Sequence, residues 1–146
     1  MPFPGTSVIP GGWDAHHRPV AEGAQTSTGR AYRFNSAGVF NEDTGKTEYF
    51  EPVPVYGTVE AAAPMRIVRD GVDTRVVIGE REIIQQSYIV TLPADAAEIL
   101  VNDMIVAENA SDPLLPGKEL YVRDIRYGSQ VWERDLVCDN IPPANR

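Results

Sequence analysis

The sequence predicts an all-β fold: a small β-barrel or compact sandwich with an extended N-terminal arm and one or two long loops. Three observations point there. Twelve Pro and twelve Gly among 146 residues call for many turns and few long helices. Short alternating apolar runs recur about every ten residues, the spacing of a barrel or sandwich. Hydrophobic residues make up 42% of the chain, and one domain of this length can bury roughly 70% of its unfolded surface. The organisation read from this is an arm over residues 1–25, a barrel over 26–140 and a flexible tail over 141–146.

The arm is rich in Pro and Gly with little periodicity, a composition that orders only against a partner. Within it "WDAHHRPVAEG" suits a short helical turn anchored by Trp13 and Val20. "TSTGRAYRF" then alternates into Tyr32 and Phe34. "KTEYF" follows the turn-like "NEDTG", so residues 38–50 read as a hairpin with Asp43-Thr44-Gly45 at its tip. "VPVYGTVE" and "PMRIV" are short strands that Pro52, Pro54 and Pro64 confine to edges or strand starts. Residues 69–80 mix glycines with charges and predict a loop or loose hairpin.

"EIIQQSYIVTLP" places Tyr88, Val90 and Leu92 on one face, and Pro93 stops it. "PADAAEIL" is balanced between helix and loop. "NDMIVAEN" is a strand entered through a tight turn at Asn102-Asp103. In "ELYVRDIRY" Leu120 and Val122 share one phase while Ile125 and Tyr127 take the other, which predicts a bulge at Arg123-Asp124. "QVWERDLVC" follows a turn at Gly128-Ser129 and aligns Trp132, Leu136 and Cys138. The expected core is therefore Tyr88, Val90, Leu92, Leu120, Val122, Trp132 and Leu136, with Trp132 read as core packing rather than as a ligand platform.

Charge narrows the functional classes. Thirteen basic against 21 acidic residues give a net charge of -8, shared by both halves of the chain, so no basic patch is available to grip phosphates. The lone Cys138 allows no intrachain disulfide and no cysteine metal cluster. The N-terminus lacks a charged and then apolar leader, and no run is long enough to span a bilayer, so a soluble protein with no membrane partner is expected. The sequon Asn109-Ala110-Ser111 is then a chance match.

Catalytic, metal and cofactor sites are all expected to be absent. Gly45-Lys46-Thr47 resembles the end of a phosphate loop but has Phe40 where the first glycine belongs, and is read as a hairpin turn. "NEDTG" lacks the alternating ligands of a calcium loop. His16 and His17 are adjacent, project differently and seldom share one metal. The pairs Glu80/Glu82 and Glu133/Asp135 are what an outward strand face gives without catalysis.

Several stretches carry a family likeness. These are "YIVTLPADA" at 88–96, "VNDMIV" at 101–106, "DPLLPGKELYVRDI" at 112–125, and Ser129, Trp132, Arg134 and Leu136 in "GSQVWERDLVC". Upstream, "IPGGWDAHHRPVAEGA" and "PMRIV" join them. Together they resemble the head-to-tail stopper (head-completion) proteins of long-tailed bacteriophages, in the form found in phages of actinobacteria. The likeness covers most of the chain except 36–80; it departs where that family often has Cys and this chain has Met65.

The resemblance implies a structural virion protein at the neck, present in the host cytoplasm during assembly. It would form a homo-oligomeric ring of 6 or 12 copies between a portal-side head-tail adaptor and the tail terminator or tail tube. Phage DNA would pass through the lumen without specific binding. The loop expected to close that lumen is the hairpin Gly38, Asn41, Glu42, Asp43, Thr44, Gly45 and Lys46, with Ala61 to Gly79 as the second choice. The arm residues Trp13, His16, His17 and Arg18 are expected to reach a neighbouring ring, and Leu114, Leu115 and Pro116 to form a subunit contact. The alternatives are a tail terminator or other connector ring and, from a different class, a small-ligand or oligosaccharide-binding barrel.

Overall fold

The computed structural model describes residues 11–34, 38–49, 51–71, 73–128 and 131–143; arm residues 1–10, tail residues 144–146 and Ser129 of the expected turn lie outside them. The strands are β1 (Ser27–Arg33), β2 (Val39–Asn41), β3 (Lys46–Glu48), β4 (Val53–Tyr56), β5 (Ala63–Arg69), β6 (Thr74–Ile78), β7 (Arg81–Gln85), β8 (Ser87–Pro93), β9 (Met104–Asn109), β10 (Glu119–Ile125) and β11 (Glu133–Asp139). Seven of them form one antiparallel sheet in the order β4-β1-β5-β8-β11-β10-β9, and β9 pairs back onto β1. The fold is thus all-β, with its large sheet curled into a ring.

Closure depends on β1 serving three partners. One edge pairs with β9 from Thr28 to Tyr32. The other is shared in succession by β5, against Ser27–Gly29, and β4, against Ala31–Arg33. Gly29 stands where this crowding is greatest: a Cβ there would lie 2.4 Å from the Val106 carbonyl oxygen and 2.9 Å from Met65 Cε. Only glycine lets β1 and β9 approach so closely at their register shift. Strand β4 ends the sheet order, so Pro54 forfeits no ladder bond on its open edge.

The ring encloses Ala31, Tyr56, Met65, Ile99, Ile105 and Cys138 together with Tyr88, Val90, Leu92, Leu120, Val122 and Leu136. A bulge between Val122 and Asp124 shifts the β10–β11 register, and the phase change turns Ile125 back against the core. Two buried carboxylates brace the wall. Asp103 accepts Arg33 Nε at 3.1 Å and Nη2 at 2.9 Å and closes its own turn through Leu100 N at 2.8 Å. That hydrogen bond raises the Arg33 pKa further. Asp139 accepts Arg123 Nε at 2.7 Å and Nη2 at 2.9 Å.

The structure corrects three expectations. Trp132 is not core: it is 38% exposed, because it precedes the first residue of β11, and the facing strand β8 already ends at Pro93, opposite Glu133. With no neighbour to hold it in the pleat, its inward phase is lost. Residues 82–93 are not one strand but divide at Gln86 into β7 and β8. Residues 69–80, expected as a loop or loose hairpin, open a hairpin: β6 and β7 form an antiparallel ribbon turning at Gly79 (φ 64°) and Glu80.

The third correction concerns the arm, which is not extended throughout: the helical turn expected at "WDAHHRPVAEG" is there as a full helix, α1 (Trp13–Gly23). Gly12, at φ 78°, reverses the chain into the helix, and its carbonyl accepts His16 N at 2.9 Å. Pro19 removes one rung of the helix without ending it. Trp13 and Val20 face outward and do not anchor it; His17, Arg18 and Ala21 are half-buried, and α1 packs against β8 and β11. At the other terminus Ile141 is tied back, its carbonyl accepting Arg123 Nη2 and its N–H bonding Asp139 Oδ1.

Candidate functional site

Two β-ribbons pair only within themselves and stand off the closed sheet. The first, β2–β3, carries the expected lumen loop. Asn41 builds its tip: Oδ1 accepts Asp43 N at 3.0 Å, its carbonyl accepts Gly45 N at 2.9 Å, and Nδ2 donates to Glu48 Oε1 at 2.8 Å. Gly45 takes φ 67°, the left-handed conformation that this turn requires. Glu42, Asp43, Thr44 and Lys46 are all exposed, as are the apolar Val39, Phe40 and Tyr49. Lone ribbons of this kind are marginal unless they pack on something.

The second ribbon, β6–β7, exposes Val77, Ile78 and Ile84. An ion pair from Arg75 to Glu82 at 3.3 Å crosses one face. Its root is clamped to the end of β11. Gln85 Nε2 donates to Asp139 Oδ2 at 2.8 Å, Gln86 N donates to Asn140 Oδ1 at 2.9 Å, and Asn140 Nδ2 donates to the Ile84 carbonyl at 3.2 Å. The ribbon is therefore held in direction where it leaves the barrel. The loose-hairpin reading of 69–80 reached its first strand but not β7, because both faces are wet and no alternation results; the signal for the pair was two apolar runs separated by Gly79-Glu80.

The turn between β9 and β10 is stiff. Asp112 Oδ1 accepts Leu114 N at 2.9 Å and the Asp112 carbonyl accepts Leu115 N at 3.3 Å, while Gly117 at φ 85° returns the chain and donates to the Ala107 carbonyl at 3.0 Å. Leu114 stands out at 75% exposure, Leu115 is half-buried and Pro116 exposed.

The arm residues and Trp132, far apart in sequence, come together. His17 stacks on Trp13 with centroids 4.0 Å apart, its Nδ1 bonds the Trp13 carbonyl at 2.7 Å, and its ring lies 6.1 Å from Trp132. His16 meets His17 edge-on at 5.3 Å. Arg18 is half-buried beside this row.

A cleft of about 280 Å³ opens at the end of the barrel where β8 and β10 stop and β11 starts. Ile99 and Leu136 are its buried floor with half-buried Ile125, and Glu98, Tyr127 and Arg134 form its rim. The Arg134 guanidinium sits over the Tyr127 ring at 5.2 Å and donates to the Arg126 carbonyl at 3.3 Å. The alternating strand pattern placed Arg134 correctly on β11 but gave no sign of this cleft.

Burial pushes the Cys138 thiol up to about 12, so it is not a thiolate at neutral pH. Among the described residues no group of three or more His, Cys, Asp or Glu side chains is placed to hold a metal ion, and no helix is long and apolar enough to cross a membrane. What the surface offers is contact: two projecting ribbons, a rigid apolar turn, an aromatic row and an amphipathic cleft.

The profile of a family of unknown function, DUF6093, matches residues 17–139, from within α1 to the last residue of β11, and the chain belongs to that family. No curated protein matches it.

Proposed function

We propose that this DUF6093 member is a structural subunit of a tailed bacteriophage: the head-to-tail stopper, forming a ring between the portal-side adaptor and the tail. The observation that carries the reading is the pair of ribbons β2–β3 and β6–β7, which project from a closed barrel and leave Phe40, Tyr49, Val77 and Ile84 in solvent. A self-sufficient binding module has no use for such appendages, whereas a ring subunit covers them with its neighbours. The likeness at 88–96, 101–106 and 112–125 supports the same reading, and those stretches belong to β8, β9, β10 and their turns.

In this reading β2–β3 crosses the lumen. Its tip carries Glu42 and Asp43 against Lys46, so it repels DNA phosphates and lets the genome slide past without sticking. The row of Trp13, His16 and His17 faces an adjoining ring. Of the second choice for closure, 61–79, the stretch Ala63–Arg69 is excluded, because it is β5, a wall strand paired with β1 and β8 in which Met65 is fully buried. The ring would hold 6 or 12 copies, assembled in the host cytoplasm and retained in the neck of the virion.

The test is electron microscopy of particles from a phage lacking this chain. Emptied, tailless heads beside normal free tails are expected. Overlong tails would move the protein to the tail terminator. Ordinary tailed virions would overturn a neck role and leave the ligand-binding barrel, which the 280 Å³ cleft favours. Saturable quenching of the exposed Trp132 by a small ligand would then be the sign to seek.

A further inference from the structure

We infer that Leu114 of one copy seats in the Glu98–Arg134 cleft of the next, giving a head-to-tail contact between identical chains. The inference deepens the ring reading above and rests on it for why copies meet; the choice of surfaces rests on shape, charge and placement. Leu114 is the most exposed residue of its turn whose side chain is large and apolar, and the turn is fixed by the Asp112 and Gly117 hydrogen bonds. A prearranged knob gives up little conformational freedom when it docks.

The cleft matches the knob in polarity. Its floor of Ile99, Ile125 and Leu136 is aliphatic. Arg134 at the rim is held by a ring face and a carbonyl, and none of the ion pairs among the described residues includes it. Glu98 supplies the opposite sign on the same rim. The turn carries its charges in the complementary pair, with Asp112 two residues before Leu114 and Lys118 four residues after it, both exposed. A leucine entering the cleft brings Asp112 toward Arg134 and Lys118 toward Glu98, so a reversed approach is opposed by like charges.

Placement decides the symmetry. The turn precedes β10 and the cleft begins at its last residue, Ile125, so the length of β10 separates them, about 20 Å at roughly 3.3 Å per residue. No copy can fill its own cleft. Two surfaces at opposite ends of one strand form a heterologous contact, which propagates until it closes as a ring or continues as a filament. Each contact is small, and ring closure makes many of them act together.

Directed disulfide formation tests this. Cys138 is buried with its thiol pushed up to about 12, so only introduced cysteines react. The variants Leu114→Cys and Ala97→Cys, the latter on the cleft, are mixed at equal concentration under mild oxidation. The 114–97 linked pair should exceed either like-with-like pair severalfold, and the doubly substituted chain should give a ladder. A statistical mixture, an excess of 114–114 links, or no links would overturn the docking. Native mass measurement of Leu114→Glu separates this from the ring reading. Closed assemblies that survive the substitution would overturn the docking and leave the ring intact, while the ring's place in the virion is judged from particle morphology.

Discussion

Replacing Asp139 by Ala should destabilise the whole domain and loosen one ribbon in particular. The carboxylate is 4% exposed and accepts four hydrogen bonds: Arg123 Nε at 2.7 Å, Arg123 Nη2 at 2.9 Å, Gln85 Nε2 at 2.8 Å and Ile141 N at 3.0 Å. Removing one member of a buried ion pair costs about 3–5 kcal/mol, chiefly because the other charge stays behind unpaired. Arg123 is 31% exposed, so water takes up part of that charge and the expected loss falls to about 2–4 kcal/mol. At about 3 °C per kcal/mol for a domain of this size, the Tm should drop by roughly 6–12 °C. Circular dichroism melts and urea titrations read this directly. Adding Arg123→Met removes the orphaned charge, so the double variant should regain at least half of the loss. Amide exchange across 81–86 should quicken in both variants, since Gln85 loses its anchor in each. A loss under about 1 kcal/mol in the single variant, or a double variant no more stable than the single, would refute the reasoning.

Alkaline solution should weaken the fold. Burial raises Cys138 from 9.0 to about 12 and Tyr56 from 10.0 to about 12, so the stability these groups preserve is complete below pH 9 and is lost as pH climbs toward 12. Cys138 alone accounts for about 4 kcal/mol at the limit, and Cys138→Ala should flatten the fall in Tm between pH 9 and 10; a Tm constant to pH 11 would contradict this. Leu92→Ala empties a fully buried site and should cost about 2–5 kcal/mol, whereas Phe40→Ser on the free ribbon should stay within about 0.5 kcal/mol, as urea midpoints will show. Trp13→Ala should leave a folded chain, short of at most about 1.5 kcal/mol of aromatic stacking, yet fail to rescue head-to-tail joining in a complementation assay.

The barrel wall was legible because its two faces differ. Tyr88, Val90 and Leu92 share the core face, while half-buried Ile89 and the buried but hydrogen-bonded Thr91 alternate with them, and that one apolar face fixes the period that sequence reading detects. The bulge at 123–124 showed as a phase slip for the same reason. The Asn102-Asp103 turn, with Asn102 at φ 75°, and the Asp112 turn were legible from Asp103 and Asp112, whose carboxylates accept nearby backbone N–H groups. The ribbon β6–β7 was legible only as a loop or loose hairpin because neither face is buried, so Val76, Val77 and Ile78 run on without alternating. Trp132 misled because a period can be counted past the point where its partner strand ends. Helix α1 was legible as a helical turn over its own residues, and that it is a full helix was masked by Pro19 and by adjacent histidines of which one stacks inward on the row and the other stays exposed. The cleft joins residues 96–99 to 125–136, a juxtaposition that depends on the order of the strands rather than on any local pattern.

The pairing of β1 with β9 sets a timetable for the nascent chain. Strand β1 is complete at Arg33, but the strand that closes its far edge ends only at Asn109. Ribosomes add about 5–20 residues per second, so that edge waits roughly 4–15 s for its partner. Throughout that interval an unpaired row of backbone donors and acceptors can recruit a strand from another chain. The Gly29 crowding that makes the finished seam tight also leaves the waiting edge without a side chain to discourage such pairing. Yield during rapid expression should therefore be limited by how fast the second half of the chain arrives, and slower synthesis at lower temperature lengthens the exposure even as it weakens hydrophobic association.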